Sequence, residues 1–138
     1  MAIIFKETYL TIEKNEREPF ARLVWSGDLT NEQYKKGWQA ALKAMQDLDL
    51  RKAINDQRAL GNVSMEAYAW MTTVFFPAAL KQLGRLDMAI LPSKKLFTKL
   101  SAQNMQNKMS AIDMNFNKEY FLELAEAETW LANTSEIA

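Results

Sequence analysis

Cysteine and histidine are both absent from the 138 residues, and only three prolines and four glycines are present. Without these two residue types there is no thiol nucleophile, no imidazole base, no Ser-His-Asp triad and no thiolate or imidazole metal site. Only carboxylate, lysine, tyrosine and hydroxyl chemistry is left for catalysis. The glycines, at positions 27, 37, 61 and 84, are too dispersed for a dinucleotide fingerprint or a P-loop, both of which cluster glycines where backbone N–H groups meet phosphate. Seventeen basic side chains balance seventeen acidic ones, so no whole-protein field draws in nucleic acid, and no nucleic-acid partner is expected. Runs of about 18 to 20 apolar residues, as a membrane-spanning helix requires, are also missing. At the start, Ala2 to Phe5 is followed at once by Lys6 and Glu7 with no basic run ahead of it. That is not the form of a secretory signal, and the expected compartment is the cytoplasm.

What is present is a 49% hydrophobic chain of a size that buries about two thirds of its unfolded surface, so one compact domain over residues 1–138 needs no disulfide or metal. Leu10 and Ile12 alternate with Thr11 and Glu13, and Phe20 to Trp25 is again strand-like, which together predict a hairpin. Tyr34, Trp38, Ala41, Leu42, Met45 and Leu48 then form one helical stripe, capped by Thr30 with Gln33 completing a capping box, and ending near Leu48. Lys52 to Asp56 is a short strand candidate of modest propensity. Ser64 is placed to cap a second helix that runs to about Leu83, where Gly84 stops it. Leu86 to Leu91 reads as a strand covered on both faces, Lys94 to Met109 as a third helix, Ala111 to Phe116 as a strand, and Glu119 to Leu131 as the last helix. This order predicts an α/β sandwich of a mostly parallel sheet, with an N-terminal antiparallel hairpin and about four helices.

The second helix is the most informative stretch. Met65, Tyr68, Trp70, Met71, Val74, Phe75, Phe76, Ala78, Ala79, Leu80 and Leu83 leave only a thin polar strip, so the helix buries more than one side, and Pro77 in its interior is expected to kink it. A central core helix accounts for this. The functional reading is that Trp70, Phe75 and Phe76, with Leu96 and Phe97 of the third helix, border an apolar cavity or patch, and that Lys94, Lys95 and Lys99 hold an anionic head group or an acidic partner beside it. Glu119, Glu123 and Glu126 share a face of the expected last helix and read as solvated surface. No paired-carboxylate active site is visible.

The order of elements, with Trp25-Ser26-Gly27 leading into a capped helix, the Asp56-Gln57-Arg58 strand end, Ile90-Leu91-Pro92 followed by Leu96-Phe97 and Leu100-Ser101, and the closing Glu126-Ala127-Glu128-Thr129-Trp130-Leu131, resembles the SpoIIAA-like branch of the STAS proteins over nearly the whole chain. In the anti-sigma-factor antagonists of that family a serine at the start of the second helix is phosphorylated, and the surface around it binds a regulatory kinase. The matching residue is Ser64, although Val63-Ser64 stands where the family has Asp-Ser. A helix N-terminus suits a phosphate through its free N–H groups and dipole. The same branch is similar to CRAL-TRIO lipid carriers, which implies an apolar small-ligand pocket or membrane association. The expectation is therefore a non-enzymatic regulatory or binding module without cofactor or metal. Its occupant would be an apolar or lipid-like ligand, a peripheral membrane surface or a protein partner, a second copy included. The alternative is a phosphoregulated partner-switching protein with Ser64 as the phosphosite.

Overall fold

A computed structural model describes residues 2–95 and 115–134. Along the chain lie β1 (Ala2–Glu7), β2 (Leu10–Lys14), β3 (Phe20–Gly27), α1 (Asn31–Asp47), β4 (Lys52–Leu60), α2 (Met65–Trp70), a π-helical turn (Met71–Phe75), α3 (Phe76–Leu83), β5 (Leu86–Leu91), β6 (Phe116–Tyr120) and α4 (Leu124–Asn133). The six strands form one mixed sheet in chain order. β1, β2 and β3 pair antiparallel, and β3 to β6 pair parallel. The hairpin followed by a mostly parallel sheet is thus the arrangement expected. Of the expected third helix, the part beyond Lys95 lies outside the described residues. No helix among the described residues is long and apolar enough to cross a membrane.

Side-chain alternation along the strands sets the two layers. Leu10, Ile12, Leu23, Trp25, Ala53, Met88 and Ile90 point to one face, where Tyr34, Trp38, Ala41 and Met45 of α1 and Met71, Phe75, Phe76, Ala79 and Leu80 of the second helical stretch cover them. Phe20, Ile54, Ala89 and Leu91 point to the other face and meet Ala127 and Leu131 of α4. β5 is buried along its whole length, as a strand covered on both faces has to be. Ile112 and Met114, within the strand expected over Ala111 to Phe116, lie outside the described residues. Gly37 of α1 sits against the Trp25 ring, where a Cβ would come within 2.7 Å of two ring carbons, so this helix packs at a distance only glycine permits.

β4 runs past the expected end at Asp56 to Leu60. It is a central strand with Lys52, Asn55 and Asp56 all buried, and each of them is satisfied. Asn55 Oδ1 accepts from Trp25 Nε1 at 2.8 Å, Lys52 Nζ donates to the Leu131 carbonyl of α4 at 2.8 Å, and Asp56 takes bonds from two arginines. All of those partners but Arg58 sit on other elements, which is why propensity alone marked the strand as weak.

Two expectations near the C-terminus are corrected. The strand expected over Ala111–Phe116 is observed as Phe116–Tyr120, starting where the expected one ends; residues 111–114 lie outside the described residues. The helix expected from Glu119 begins only at Leu124, so Glu119 lies in a strand, Glu123 at the helix N-cap and Glu126 in its first turn, and the three share no helical face. Pairing with β5, from Phe116 opposite Leu86 to Tyr120 opposite Ile90, overrides the helix-favouring Lys118-Glu119 pair. Near Pro77, where a kink is expected, the second helix carries a π turn, closed by Phe76 N–H donating to the Met71 carbonyl, and backbone angles stay helical on both sides. Pro77 then falls at the start of α3, where the widened turn accommodates its ring and its missing N–H.

Candidate functional site

In open α/β sheets ligands and partners meet the carboxyl ends of the strands. Here the loops that leave β3 and β4 interlock. Gly61 N–H donates to the Gly27 carbonyl at 2.8 Å, Leu29 N–H to the Asn62 carbonyl at 3.0 Å, and Asn62 N–H to Asp28 Oδ1 at 2.7 Å. This brings the starts of α1 and α2 side by side. Thr30 caps α1 with the full capping box to Gln33, and Ser64 caps α2 by accepting from Ala67 N–H at 3.0 Å, both as the sequence predicts. The Ser64 hydroxyl also donates to Asn31 Oδ1, and Asn31 Nδ2 donates to Glu66 at 3.2 Å, so a short polar chain links the two helix starts. Ser64 is exposed.

Around it the first turns of α2 present apolar side chains to solvent. Met65 is 89% exposed and Tyr68 52%. Tyr68 lies close enough to Tyr34 and Tyr120 for its phenol to act on both. Burial pushes the Tyr34 phenol up to about 12 and raises that of Tyr120, and Tyr68 adds to each shift.

The aromatic residues expected at a cavity are brought together, but in the core. Phe75 and Phe76 are 7% and 9% exposed. Trp38 packs on both, with ring centroids 5.5 and 5.0 Å away, and Phe76 stacks on Phe116 at 5.2 Å. Trp70 is half-buried against Phe75, with the Lys35 ammonium 5.6 Å from its ring centre. The helix is apolar on more than one side because α1 and the sheet, β6 included, each take one. Lys94 and Lys95 are exposed, whereas Leu96, Phe97 and Lys99 lie outside the described residues. The opposite flank of the same helix bounds an open depression of about 810 Å³, lined by Thr73, Val74, Pro77, Ala78, Lys81 and Asn115 among others.

A second polar constellation lies on the sheet face that carries α4. Asp56 is clamped by Arg58 Nε at 3.0 Å and Nη2 at 2.9 Å, by Arg22 Nη2 at 2.8 Å, and by the Arg58 backbone N–H at 3.2 Å. Burial by itself raises the pKa of this carboxyl, but the hydrogen bonds from Arg58 and then Arg22 outweigh it and hold the group below its ordinary value. Four hydrogen bonds from Arg58 and Arg22 converge on the carboxylate, which makes the cluster a structural clamp across β3 and β4. The sequence does carry its signal, since Asp56 and Arg58 are two apart on a strand and share a face. The exposure of Met65 and Tyr68 has no such signal: both read simply as members of an apolar helix. Among the described residues no cluster of acidic side chains is arranged to hold a metal ion. No protein-family model and no curated protein matches the chain.

Proposed function

We propose that this chain is a non-enzymatic binding module of the SpoIIAA-like STAS type that engages a protein partner through the start of its second helix. The observation that carries this reading is the exposed pair Met65 and Tyr68 beside the exposed capping Ser64, at the carboxyl edge of the sheet. Apolar side chains of this size in a rigid, capped helical turn make a hot-spot type of surface. The element order and the Ser64 cap support the family assignment. A photo-crosslinking side chain at position 65 in the native cell is expected to trap one dominant protein, with loss of the adduct on Tyr68→Ala. The same probe at the exposed Lys43 of α1 serves as control. Equal adducts from both sites, or none at position 65, would sink the reading.

Phosphorylation of Ser64 is the regulatory form of the same proposal. Its exposed hydroxyl already accepts from Ala67 N–H, and a phosphate there would gain from the helix start while losing the donated bond to Asn31. Intact-mass spectrometry of native protein across growth conditions decides it, and a Ser64 that is never modified removes it. A lipid-like ligand finds support in the open depression beside Pro77, with Lys81 at its rim. Fatty acid added to the pure protein is then expected to raise the melting temperature by mass action, and an unchanged value discards that occupant.

A further inference from the structure

The sheet has two edges, and they differ. β6 is half-buried along most of its length, whereas β1 is exposed at every position except the half-buried Phe5. Ile3 is 59% and Ile4 41% exposed. The side of β1 that faces away from β2 carries backbone N–H and C=O groups with no strand beside them among the described residues. Natural edges are blunted by proline, by charge within the strand or by bulges. Ala2 to Phe5 contains neither proline nor charge, and the one irregularity, between Ile3 and Phe5, is in the pairing with β2. That shift sets Ile3 opposite Glu13 and Phe5 opposite Ile12, so the two apolar side chains leave on opposite faces and Ile3 stays outside the core.

We propose that β1 pairs antiparallel with β1 of a second copy of this chain about a twofold axis, with Ile4 opposite Ile4, to make a continuous twelve-stranded sheet from two copies of the six-stranded one. Charge and side-chain matching select this occupant and this register. In the Ile4-centred antiparallel pairing the exposed Ile4 meets its own counterpart on the axis and Lys6 falls opposite Ala2, so an apolar pair sits at the centre and no like charges are opposed. A parallel pairing would oppose Lys6 to Lys6 and Glu7 to Glu7, which is destabilising. An antiparallel pairing centred on Phe5 would place Lys6 against Ile4 and Glu7 against Ile3. The zero net charge leaves no overall repulsion between copies. A ribbon over Ala2–Lys6 buries less than a standard interface, so the dimer is weak and concentration-dependent.

The absence of cysteine makes the register directly testable. Sedimentation equilibrium from low to high micromolar protein is expected to show the mass rising from 15.9 kDa towards twice that value. Ile3→Lys with Ile4→Lys should weaken the association by roughly tenfold or more, equivalent to about 1.4 kcal/mol, with thermal unfolding confirming that the variant is folded. Facing residues in an antiparallel pair have Cα atoms about 4.5 to 5.5 Å apart, within disulfide reach, so Ile4→Cys should oxidise rapidly to a covalent dimer. Lys6→Cys, held roughly 14 Å from its counterpart in this register, should not. A mass that stays monomeric at all concentrations overturns the proposal. So does a dimer that survives the two lysines, or an Ile4→Cys cross-link no faster than that of Lys6→Cys or of the exposed Val74→Cys.

Discussion

The Asp56 clamp is a buried charge whose energetic role can be worked from its surroundings. Replacing Asp56 with Asn keeps the shape but removes the negative charge from a carboxylate that is 4% exposed and faces Arg22 at 19% and Arg58 at 44% exposure. Breaking a fully buried pair by removing one partner costs about 3 to 5 kcal/mol. Arg58 can turn to solvent once released, so its share is discounted towards the value of a surface pair. Arg22 cannot relax as freely, because its Nε is already buried without a partner. The expected loss is about 2 to 3 kcal/mol, or a fall in Tm of about 6 to 12 °C for a domain of this size. The pH dependence gives a second reading of the same group. Its folded-state pKa lies below the unfolded value of about 3.9, so the ionised carboxylate stabilises the fold above that pH, and the contribution is lost as pH falls through the folded value. Urea unfolding of parent and Asp56→Asn should therefore show a constant gap from pH 7 to about 5 that narrows progressively below it. A gap below about 1 kcal/mol at pH 7, or one that does not change in acid, would refute the clamp.

Three further predictions address single contacts. Gly37→Ala gains about 1 kcal/mol of helix propensity but drives a Cβ to within 2.7 Å of the fully buried Trp25 ring, so chemical denaturation should show a net loss of about 1 to 2 kcal/mol; a stabilised variant would mean that α1 lifts off the ring freely. Ser64→Ala removes the acceptor for Ala67 N–H and the donor to Asn31 and should cost about 0.5 to 2 kcal/mol, read by thermal unfolding, with Ser64→Asn restoring most of it. Tyr34, with its phenol pushed up to about 12 by burial, should remain un-ionised in alkaline difference spectra until well above the ordinary tyrosine range. Its contribution to stability is full below the unfolded pKa of about 10 and is lost as pH rises towards the folded value, so normal titration near 10 in the folded protein would place Tyr34 in water.

Much of the path of the chain is legible without coordinates, and the reason is local. Thr30 with Gln33, Ser64, and Gly84 at φ 84° are recognisable because a cap or a left-handed stop depends on residues a few positions apart. The stripes that place Leu10, Ile12, Leu23, Trp25, Met88 and Ile90 in the core are equally local, since a strand with one face buried repeats every two residues. The C-terminal third is less legible. Lys118 and Glu119 favour a helix on their own, and only the neighbouring β5 makes them a strand. The Pro77 turn belongs to the same class, because a π turn depends on how the whole helix seats between α1, β6 and the sheet.

The site divides along the same line. Sequence by itself determined the element types from β2 to β5, the caps, the hydrophobic stripes and the exclusion of thiol and imidazole chemistry, all of which follow from residue type and short spacing. Only the tertiary structure decided that Phe75 and Phe76 are spent on Trp38 and Phe116, that Met65 and Tyr68 are left to solvent, and that Asp56 is held by an arginine 34 residues away. Amphipathic patterning records how much of a helix is apolar, but which part is covered depends on partners far along the chain. A contact between residues remote in sequence leaves no periodic trace in either of them.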